Sequence, residues 1–246
     1  MKKTKIFAHR GASAYAPENT MEAFELAIAQ GAEGIELDVQ LTKDGVPVVI
    51  HDERIDRVTD GKGEVRGFTL EEIRGFSASN QLPGFEKAKI PTLEEVLELL
   101  APGSCELNIE LKTGIFWYPR LEEKVAELVE RWGMKERVIY SSFNHYSIQR
   151  IRSLDPEAET AYLFGDILLH AERYARETGV KGLHPALYHM TMGTLAKEYT
   201  ESGLAVRVWT VNEEAHIRRM LEFGVDAIIT NYPDRGARLR DEMEKR

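Results

Sequence analysis

The chain lacks most of the signatures that mark secreted, membrane-spanning and nucleotide-dependent proteins. Its single cysteine, Cys105, excludes an internal disulfide and is more typical of a small packed residue than of a reactive site. No apolar run approaches the ~20 residues of a membrane span, and the apolar stretch at 6–8 is too short for a secretory signal, so we expect a cytoplasmic protein. A glycine-rich phosphate loop, GxSxG, HExxH and CxxC are also absent, which argues against a nucleotide cofactor, a serine nucleophile and a zinc site.

Basic residues are also fewer than acidic ones. The 246 residues carry a net charge of −9, so we expect no broad binding to nucleic acid or to an acidic membrane surface. The hydrophobic content of 43% is sufficient for a sizeable core. A small molecule is therefore the expected partner, and an anionic one requires a local positive site. The oligomeric state stays open, with a homo-oligomer as one alternative.

Short apolar strands alternate with amphipathic helices along nearly the whole chain. Strands are predicted at 5–9, 34–39, 106–111, 137–141, 160–164, 181–184, 205–211 and 226–230. Helices are predicted at 19–30, 92–100, 121–132, 145–154, 167–178, 192–202, 213–223 and 234–244. Asn19 with Glu22, and Thr92 with Glu95, form the capping-box pattern that begins the first two. Eight strand–helix units predict an α/β fold, a (β/α)8 TIM barrel in a single domain over 1–246, with a doubly wound open sheet as the alternative.

One segment interrupts this alternation. Asp44 and Gly45 predict a tight turn, so the short strand at 47–50 should run antiparallel to its predecessor. The following residues, about 52–90, are rich in glycine and charge, poor in apolar residues, and show one short helical pattern after Thr69. We expect a small insertion after the second strand of the barrel rather than an independent domain.

Acidic side chains alternate with aliphatic ones on two of the predicted strands. Glu36 and Asp38 share one face of the second strand, and Glu110 lies on the polar face of the next barrel strand. Because barrel active sites form at the carboxyl ends of the strands, the three acids can converge there. Like charges ~4 Å apart cost roughly 4 kcal/mol at an effective dielectric of ~20, and oxygen ligands suit Mg²⁺ or Ca²⁺. The alternative is a buried ion-pair network with the cations Arg10, Lys112 and Arg207.

Two histidines follow apolar strands beside these acids. His9 and His51 are the candidate proton-transfer groups, because histidine titrates near neutral pH. Arg10 and Lys112 can either hold an anionic group or neutralise a carboxylate. We expect solvated helix faces for His145, His170, His189 and His216, and leave His184 open.

Several motifs together resemble one known family. They are HRGASAYAPENT at 9–20, ELDVQLTKDGVPVVIHD at 36–52, PTLEEVL at 91–97, IELK at 109–112, SSF at 141–143, VWTVN at 208–212 and GVDAIITNYP at 224–233. In this order they resemble the glycerophosphodiester phosphodiesterase family. The resemblance implies a (β/α)8 barrel with a small insertion, and hydrolysis of glycerophosphodiesters to glycerol 3-phosphate and an alcohol with a divalent cation, Mg²⁺ or Ca²⁺.

The same resemblance assigns roles to individual positions. It implies metal binding by Glu36, Asp38 and Glu110, and acid/base catalysis by His9 and His51. It also implies a phosphate contact for Arg10, a substrate or phosphate contact for Lys112, and an aromatic wall at the glycerol end for Trp209. Asn231 departs from the aspartate common in the family. We expect this departure to affect local loop structure only, outside the metal and histidine set.

Other activities are compatible with these residues. A lysophospholipase D or phospholipase-type enzyme cleaves a lipid phosphodiester with the same groups but requires an exposed apolar rim. The candidates in the insertion are Phe68, Phe76, Leu82 and Phe85, which can equally form its own packing. A non-catalytic binding protein on the same barrel predicts the loss of a key polar residue, and none is lost.

Overall fold

The computed structural model describes residues 3–245, so the expected domain limits at 1 and 246 lie outside it. In this part of the chain eight parallel strands close into a barrel through the pairing of its first and second strands. The barrel strands are β1 Lys5–His9, β2 Gly34–Leu41, β4 Glu106–Leu111, β5 Val138–Ser142, β6 Glu159–Phe164, β7 Gly182–Pro185, β8 Ala205–Val208 and β9 Ala227–Thr230. The TIM-barrel prediction is confirmed, and the open-sheet alternative is wrong.

Helices cover the outside of the barrel. Their bounds are α1 Met21–Ala29, α2 Leu70–Ile73, α3 Leu93–Leu100, α4 Leu121–Arg131, α5 His145–Leu154, α6 Ala171–Glu177, α7 Leu195–Thr200, α8 Glu214–Phe223 and α9 Pro233–Glu244. No helix within residues 3–245 combines the length and the apolar character needed to cross a membrane.

The two faces of each barrel strand have different surroundings. On β2 the aliphatic residues Ile35, Leu37 and Val39 are fully buried in the main apolar core, which the strands share with the helices. The alternate residues point to the inside of the barrel, because successive side chains of a strand face opposite ways. Register then aligns β2 with β4 so that Asp38 lies beside Glu110. The period-two pattern of these strands thus brings acids from neighbouring strands together.

The extra strand β3, Pro47–Val49, pairs antiparallel with the end of β2, as the turn at Asp44 and Gly45 predicts. The insertion that follows contains α2, with the Thr69 capping box, and the 3₁₀ turns Ile55–Arg57 and Val65–Gly67. The few apolar residues of the insertion are nevertheless packed together. The hairpin supplies part of a second small core, and the insertion supplies the rest. Its members are Val48, Ile50, Ile55, Val58, Val65, Ile73, Ala78 and Ile90.

The predicted N-cap of the first helix is also wrong by one residue. Thr20, not Asn19, is the N-cap of α1, and its hydroxyl accepts a hydrogen bond from the amide of Ala23. Asn19 has a φ of +57° and points its side chain towards Asp38 instead. Helices α6 and α7 are shorter than predicted, and strand β8 ends at Val208 instead of at the predicted residue 211.

Candidate active site

Three buried carboxylates meet at the carboxyl ends of β2 and β4. Glu36, Asp38 and Glu110 are 5%, 0% and 7% exposed. One carboxylate oxygen from each lies within 4.8 Å of the others. The strand register explains this meeting, because Asp38 and Glu110 are direct neighbours. The convergence predicted from the alternating sequence is therefore present in the structure.

Two cations lie against the acids. Arg10 Nε is 3.3 Å from Asp38 Oδ2, and Lys112 Nζ donates to Glu110 Oε1 over 3.0 Å. Arg10 is shared, because its Nη1 also donates to Glu18 over 2.9 Å. Two cations thus face three carboxylates and a fourth acid. The ion-pair alternative holds for Arg10 and Lys112, but it is wrong for Arg207, which pairs with Glu159 at the other end of the barrel strands.

The surplus of negative charge appears in the pKa values. Burial and the neighbouring Asp38 raise the pKa of Glu36 well above its usual range, and the same two causes raise the pKa of Glu110 to about 7. Burial opposes ionisation of Asp38 as well, but the charges of Arg10 and Lys112 outweigh it and hold its pKa at about 2. A further positive charge would therefore let all three carboxylates ionise.

Three buried oxygens at the cluster accept no hydrogen bond and fit an oxygen-coordinated cation. Within the described chain, Asp38 Oδ1 is buried and accepts no hydrogen bond, and neither do the amide oxygens of Asn19 and Asn108. Asn19 Nδ2 meanwhile donates to Asp38 Oδ2 over 2.9 Å, which holds that carboxylate in place. Carboxylate and amide oxygens are the ligands that Mg²⁺ and Ca²⁺ prefer. Sequence reasoning missed Asn19, because its spacing from Glu22 imitates a helix cap.

His9 lies at the end of β1, next to the acids. Its Nδ1 donates to Asn231 Oδ1 over 2.7 Å, which leaves Nε2 free as an acceptor, 3.9 Å from Glu36 Oε2. Burial, and then the charge of Arg10, lower the pKa of His9 to about 4. The expectation that Asn231 lies outside the histidine set is wrong, because this residue contacts the ring of His9 directly.

His51 follows the hairpin strand β3 and faces the same mouth. Its Nδ1 lies 2.6 Å from Asp52 Oδ1, and Arg57 Nε donates to the other oxygen of Asp52 over 2.7 Å. Burial alone would raise the pKa of Asp52, but the hydrogen bonds from Arg57 and His51 lower it to about 2. The carboxylate therefore stays charged beside the imidazole.

A buried glutamine holds the backbone that carries His51. Gln40, with no exposed surface, donates from Nε2 to the carbonyls of Ile50, His51 and Asp52 over 3.1, 3.0 and 2.7 Å. Its Oε1 accepts from the hydroxyl of Tyr118 over 2.9 Å. The only sequence signal for this role is a long amide within an otherwise aliphatic and acidic strand.

His9, His51, Glu36 and Glu110 border a cavity of about 130 Å³, whereas Asp38 is fully buried and does not line it. The other wall of the cavity is apolar and consists of Phe143, Leu163, Trp209 and Ile229. Trp209 lies edge-to-face with Phe143, with ring centroids 5.5 Å apart, and its Nε1 donates to the carbonyl of His184 over 2.7 Å. The predicted aromatic wall is thus in the mouth. A larger groove of about 640 Å³ on the outer surface beside α3 and α4 contains none of these residues.

The remaining histidines lie away from this cavity. His189 is fully buried, with Nε2 2.9 Å from the carbonyl of Gly165, and His145 stacks on Tyr162 with centroids 3.9 Å apart. The expectation of solvated faces is wrong for both, because His145 packs against Tyr162 of β6 and Tyr174 of α6, and His189 packs against Phe164 of β6. His184 is buried too, and burial together with Arg207 lowers its pKa well below the usual range.

Known proteins are similar to this chain over almost its full length. Residues 9–235 match the Glycerophosphoryl diester phosphodiesterase family. A glycerophosphodiester phosphodiesterase of Bacillus altitudinis is 44% identical over 98% of this chain and 100% of its own. One from Caldanaerobacter subterraneus is 43% identical over 94% and 96%. The solved structure of an Oleispira antarctica phosphodiesterase, in complex with the product sn-glycerol-3-phosphate, has a TM-score of 0.86 at 29% identity and covers 97% of each chain.

The closed parallel barrel, with acids and histidines collected at its carboxyl face, defines an enzyme of the TIM-barrel class. The family within this class is shown by the match over residues 9–235 and by the identity to relatives of similar length. The chain belongs to the glycerophosphoryl diester phosphodiesterase family and is a phosphoric diester hydrolase.

Proposed function

We propose that the protein hydrolyses glycerophosphodiesters to glycerol 3-phosphate and an alcohol, with a divalent cation bound by Glu36, Asp38 and Glu110. The observation that carries the proposal is that the three carboxylates meet beside a cavity lined by Glu36, Glu110, His9 and His51. Such a set combines cation binding with two proton carriers, a combination that suits the cleavage of a phosphodiester. Family membership and the product complex of the Oleispira antarctica relative support the same substrate class.

The cation is assigned to these residues because their oxygens fit it. When bound, Mg²⁺ or Ca²⁺ would polarise a phosphoryl oxygen and offset negative charge in the transition state. Arg10 and Lys112 lie at the same cluster and are positioned to attract the anionic phosphodiester into an otherwise acidic protein. Asn19 holds the Asp38 carboxylate through the hydrogen bond from its Nδ2.

The two histidines divide the proton transfers between them. One accepts a proton from the nucleophile, and the other donates one to the leaving alkoxide. In both rings Nδ1 is engaged, by Asn231 in His9 and by Asp52 in His51, so Nε2 is the nitrogen available to the substrate. The Asp52 carboxylate orients the His51 ring and the Asn231 amide orients the His9 ring, so each imidazole is held in place through its Nδ1.

The nucleophile is either the 2-hydroxyl of the glycerol or water. Attack by the hydroxyl gives a cyclic phosphate that water then opens, and direct attack by water gives the product in one step. Single-turnover experiments analysed by ³¹P NMR distinguish the two routes. A transient cyclic phosphate identifies the first route, and its absence at every time point identifies the second.

The test is release of glycerol 3-phosphate from glycerophosphocholine, glycerophosphoethanolamine and glycerophosphoglycerol with Mg²⁺ or Ca²⁺. We expect turnover of at least one diester, and a loss on the order of 10²–10⁴ in kcat for His9→Ala and for His51→Ala. His216→Ala, which changes a histidine on α8 outside the cavity, is the matched control. Absence of release from all three diesters contradicts the proposal, and near-full turnover by His51→Ala contradicts the two-histidine scheme.

The alternatives differ in what they require. A binding protein on this barrel predicts a site with a missing group, whereas all eight candidate positions keep side chains suited to their chemistry. A lipid phosphodiesterase needs an apolar rim, and the insertion does not offer one in Phe68 and Phe76. These two rings pack edge-to-face, 5.4 Å between centroids, against the small core of the insertion.

A further inference from the structure

One arginine of the insertion lies between two acids near the cavity. Arg57 ends the 3₁₀ turn Ile55–Arg57, and it donates from Nε to Asp52 Oδ2 over 2.7 Å and from Nη2 to Asp52 Oδ1 over 3.1 Å. It also donates from Nη1 to Glu18 Oε2 over 2.8 Å and from Nη2 to Glu18 Oε1 over 2.7 Å. Every nitrogen of this guanidinium group therefore has a carboxylate partner.

Each of the two carboxylates also contacts a residue of the candidate active site. Asp52 Oδ1 lies 2.6 Å from His51 Nδ1. Glu18, on the connection between β1 and α1, accepts a further hydrogen bond from Arg10 Nη1 over 2.9 Å, and its side chain is 15% exposed. Arg57 thus joins the insertion to the connection after β1, with His51 at one end of the network and Arg10 at the other.

The contact between Asp52 and His51 has a defined donor. Asp52 is charged at neutral pH, because its hydrogen bonds outweigh its burial and hold its pKa at about 2. A charged carboxylate only accepts hydrogen bonds, so the proton of the contact lies on His51 Nδ1. Because Arg57 holds both oxygens of Asp52, this carboxylate cannot turn without breaking two charge-assisted hydrogen bonds. The orientation of the His51 ring is restrained in the same way.

We propose that Arg57 is a positioning residue of the reaction, which fixes Asp52, and through it the ring of His51, against Glu18. The inference rests on the proposed phosphodiester hydrolysis and deepens it. Arg57 acts by geometry, since its planar fork of donors serves both carboxylates at once, whereas a lysine offers a single nitrogen. The insertion is then a brace for the proton-transfer group, in addition to having a small core of its own.

Arg57→Lys separates the geometry from the charge. The variant keeps a positive charge beside Glu18 and Asp52 but lacks the fork. With the diester that the native protein cleaves fastest, and at a temperature where circular dichroism shows the variant folded, we expect kcat to fall about tenfold and KM to stay within about twofold. Arg54→Lys, three positions earlier and paired with Asp56 at the surface, is the matched control and should change neither constant.

A double-mutant cycle tests the route of the effect. If Arg57 acts on the reaction through Asp52, Arg57→Lys should lower kcat no further in a protein that already carries Asp52→Asn. If instead the effects of the two single substitutions multiply in the double variant, Arg57 acts independently of Asp52, and the inference is overturned.

The proton on His51 Nδ1 offers a measurement that does not depend on turnover. In ¹H NMR at low temperature it should give a downfield resonance, identified by its loss in His51→Ala. We expect this resonance to broaden or disappear in Arg57→Lys and to persist in Arg54→Lys. A native resonance and a native kcat in Arg57→Lys overturn the inference and leave the proposed function intact. If the native protein cleaves no diester, the proposed function is overturned, and the resonance alone decides whether Arg57 fixes the ring.

Discussion

The buried acids predict opposite effects of Glu110→Gln on stability and on cation binding. Burial and Asp38 raise the pKa of Glu110 from 4.5 to about 7. A carboxyl whose pKa is raised by folding binds more protons in the folded than in the unfolded state. Stability is therefore lost as the pH rises from the unfolded pKa through the folded pKa. Without a cation, the native protein should consequently be less stable at pH 8 than at pH 5, as far as this residue is concerned.

The size of the effect follows from the two pKa values. The difference between about 7 and 4.5 corresponds to about 3 kcal/mol, at 1.36 kcal/mol per pH unit. Glutamine is neutral at every pH, and its Oε1 can still accept the hydrogen bond that Lys112 donates over 3.0 Å. In chelator at pH 8 the variant should thus gain up to about 3 kcal/mol, or ~6–12 °C in Tm for a chain of this size. At pH 5 the gain should fall below about 1 kcal/mol.

Thermal unfolding followed by circular dichroism measures both effects. In EDTA the variant should melt above the native protein at pH 8. On adding Mg²⁺ or Ca²⁺ to 100 times its Kd, the native protein should gain about 2.7 kcal/mol and the variant should gain far less. Glu106→Gln, at the opposite end of β4 and paired with Lys5, is the control and should respond to the cation as the native protein does. A variant that melts below the native protein at pH 8 in EDTA, or that keeps the full cation response, refutes the reasoning.

Three further substitutions test the supports of the site. Asp52→Asn removes the charge beside His51 Nδ1 and should lower kcat on the order of 10²-fold, measured by steady-state kinetics at a temperature where the variant stays folded, while the lost ion pair with Arg57 should lower Tm; an unchanged kcat contradicts the role of the pair. Gln40→Leu leaves three carbonyls without their donor and should cost about 1–3 kcal/mol in urea unfolding; an unchanged midpoint contradicts this. Gly11→Ala, at a φ of +80° and with the new Cβ 2.7 Å from the backbone of Ala23, should lower Tm, and full retention of Tm contradicts the crowding.

The features that follow local periodicity could be predicted from the sequence. The strand pattern of Glu36, Asp38 and Glu110 determines which face each side chain takes, and parallel register then brings neighbouring strands together. The acidic cluster follows from that pattern once the eight strand–helix units are arranged as a closed barrel. The turn at Asp44 and Gly45 likewise predicts the hairpin that returns His51 to the mouth.

The features that depend on residues distant in the sequence could not be predicted from it. Asn19 has the spacing of a helix cap, and only the approach of Asp38 makes it a support of the cluster. Asn231 is 222 positions from His9 in the chain, and the two meet only because β1 pairs with β9. His189 is fully buried although its side chain is polar, and its Nε2 hydrogen-bonds to the carbonyl of Gly165. Such pairings depend on tertiary contacts that no local pattern specifies.

The grouping of exposed apolar residues could not be predicted from local patterns either. Ile115, Phe143, Leu169 and Met192 come from four separate connections between strands and helices. Only the cyclic order of the strands makes these connections neighbours around the barrel. In the insertion, Phe68 and Phe76 pack against the small core instead of forming an exposed apolar surface.

The most direct test of the central claim is glycerol 3-phosphate release from glycerophosphocholine after exhaustive chelation, followed by stepwise return of Mg²⁺ or Ca²⁺. If Glu36, Asp38 and Glu110 hold one cation needed for the reaction, the rate should vanish with EDTA and return as about one cation binds per chain. Glu110→Gln should fail to recover at the same concentrations. A rate that survives complete chelation contradicts the account.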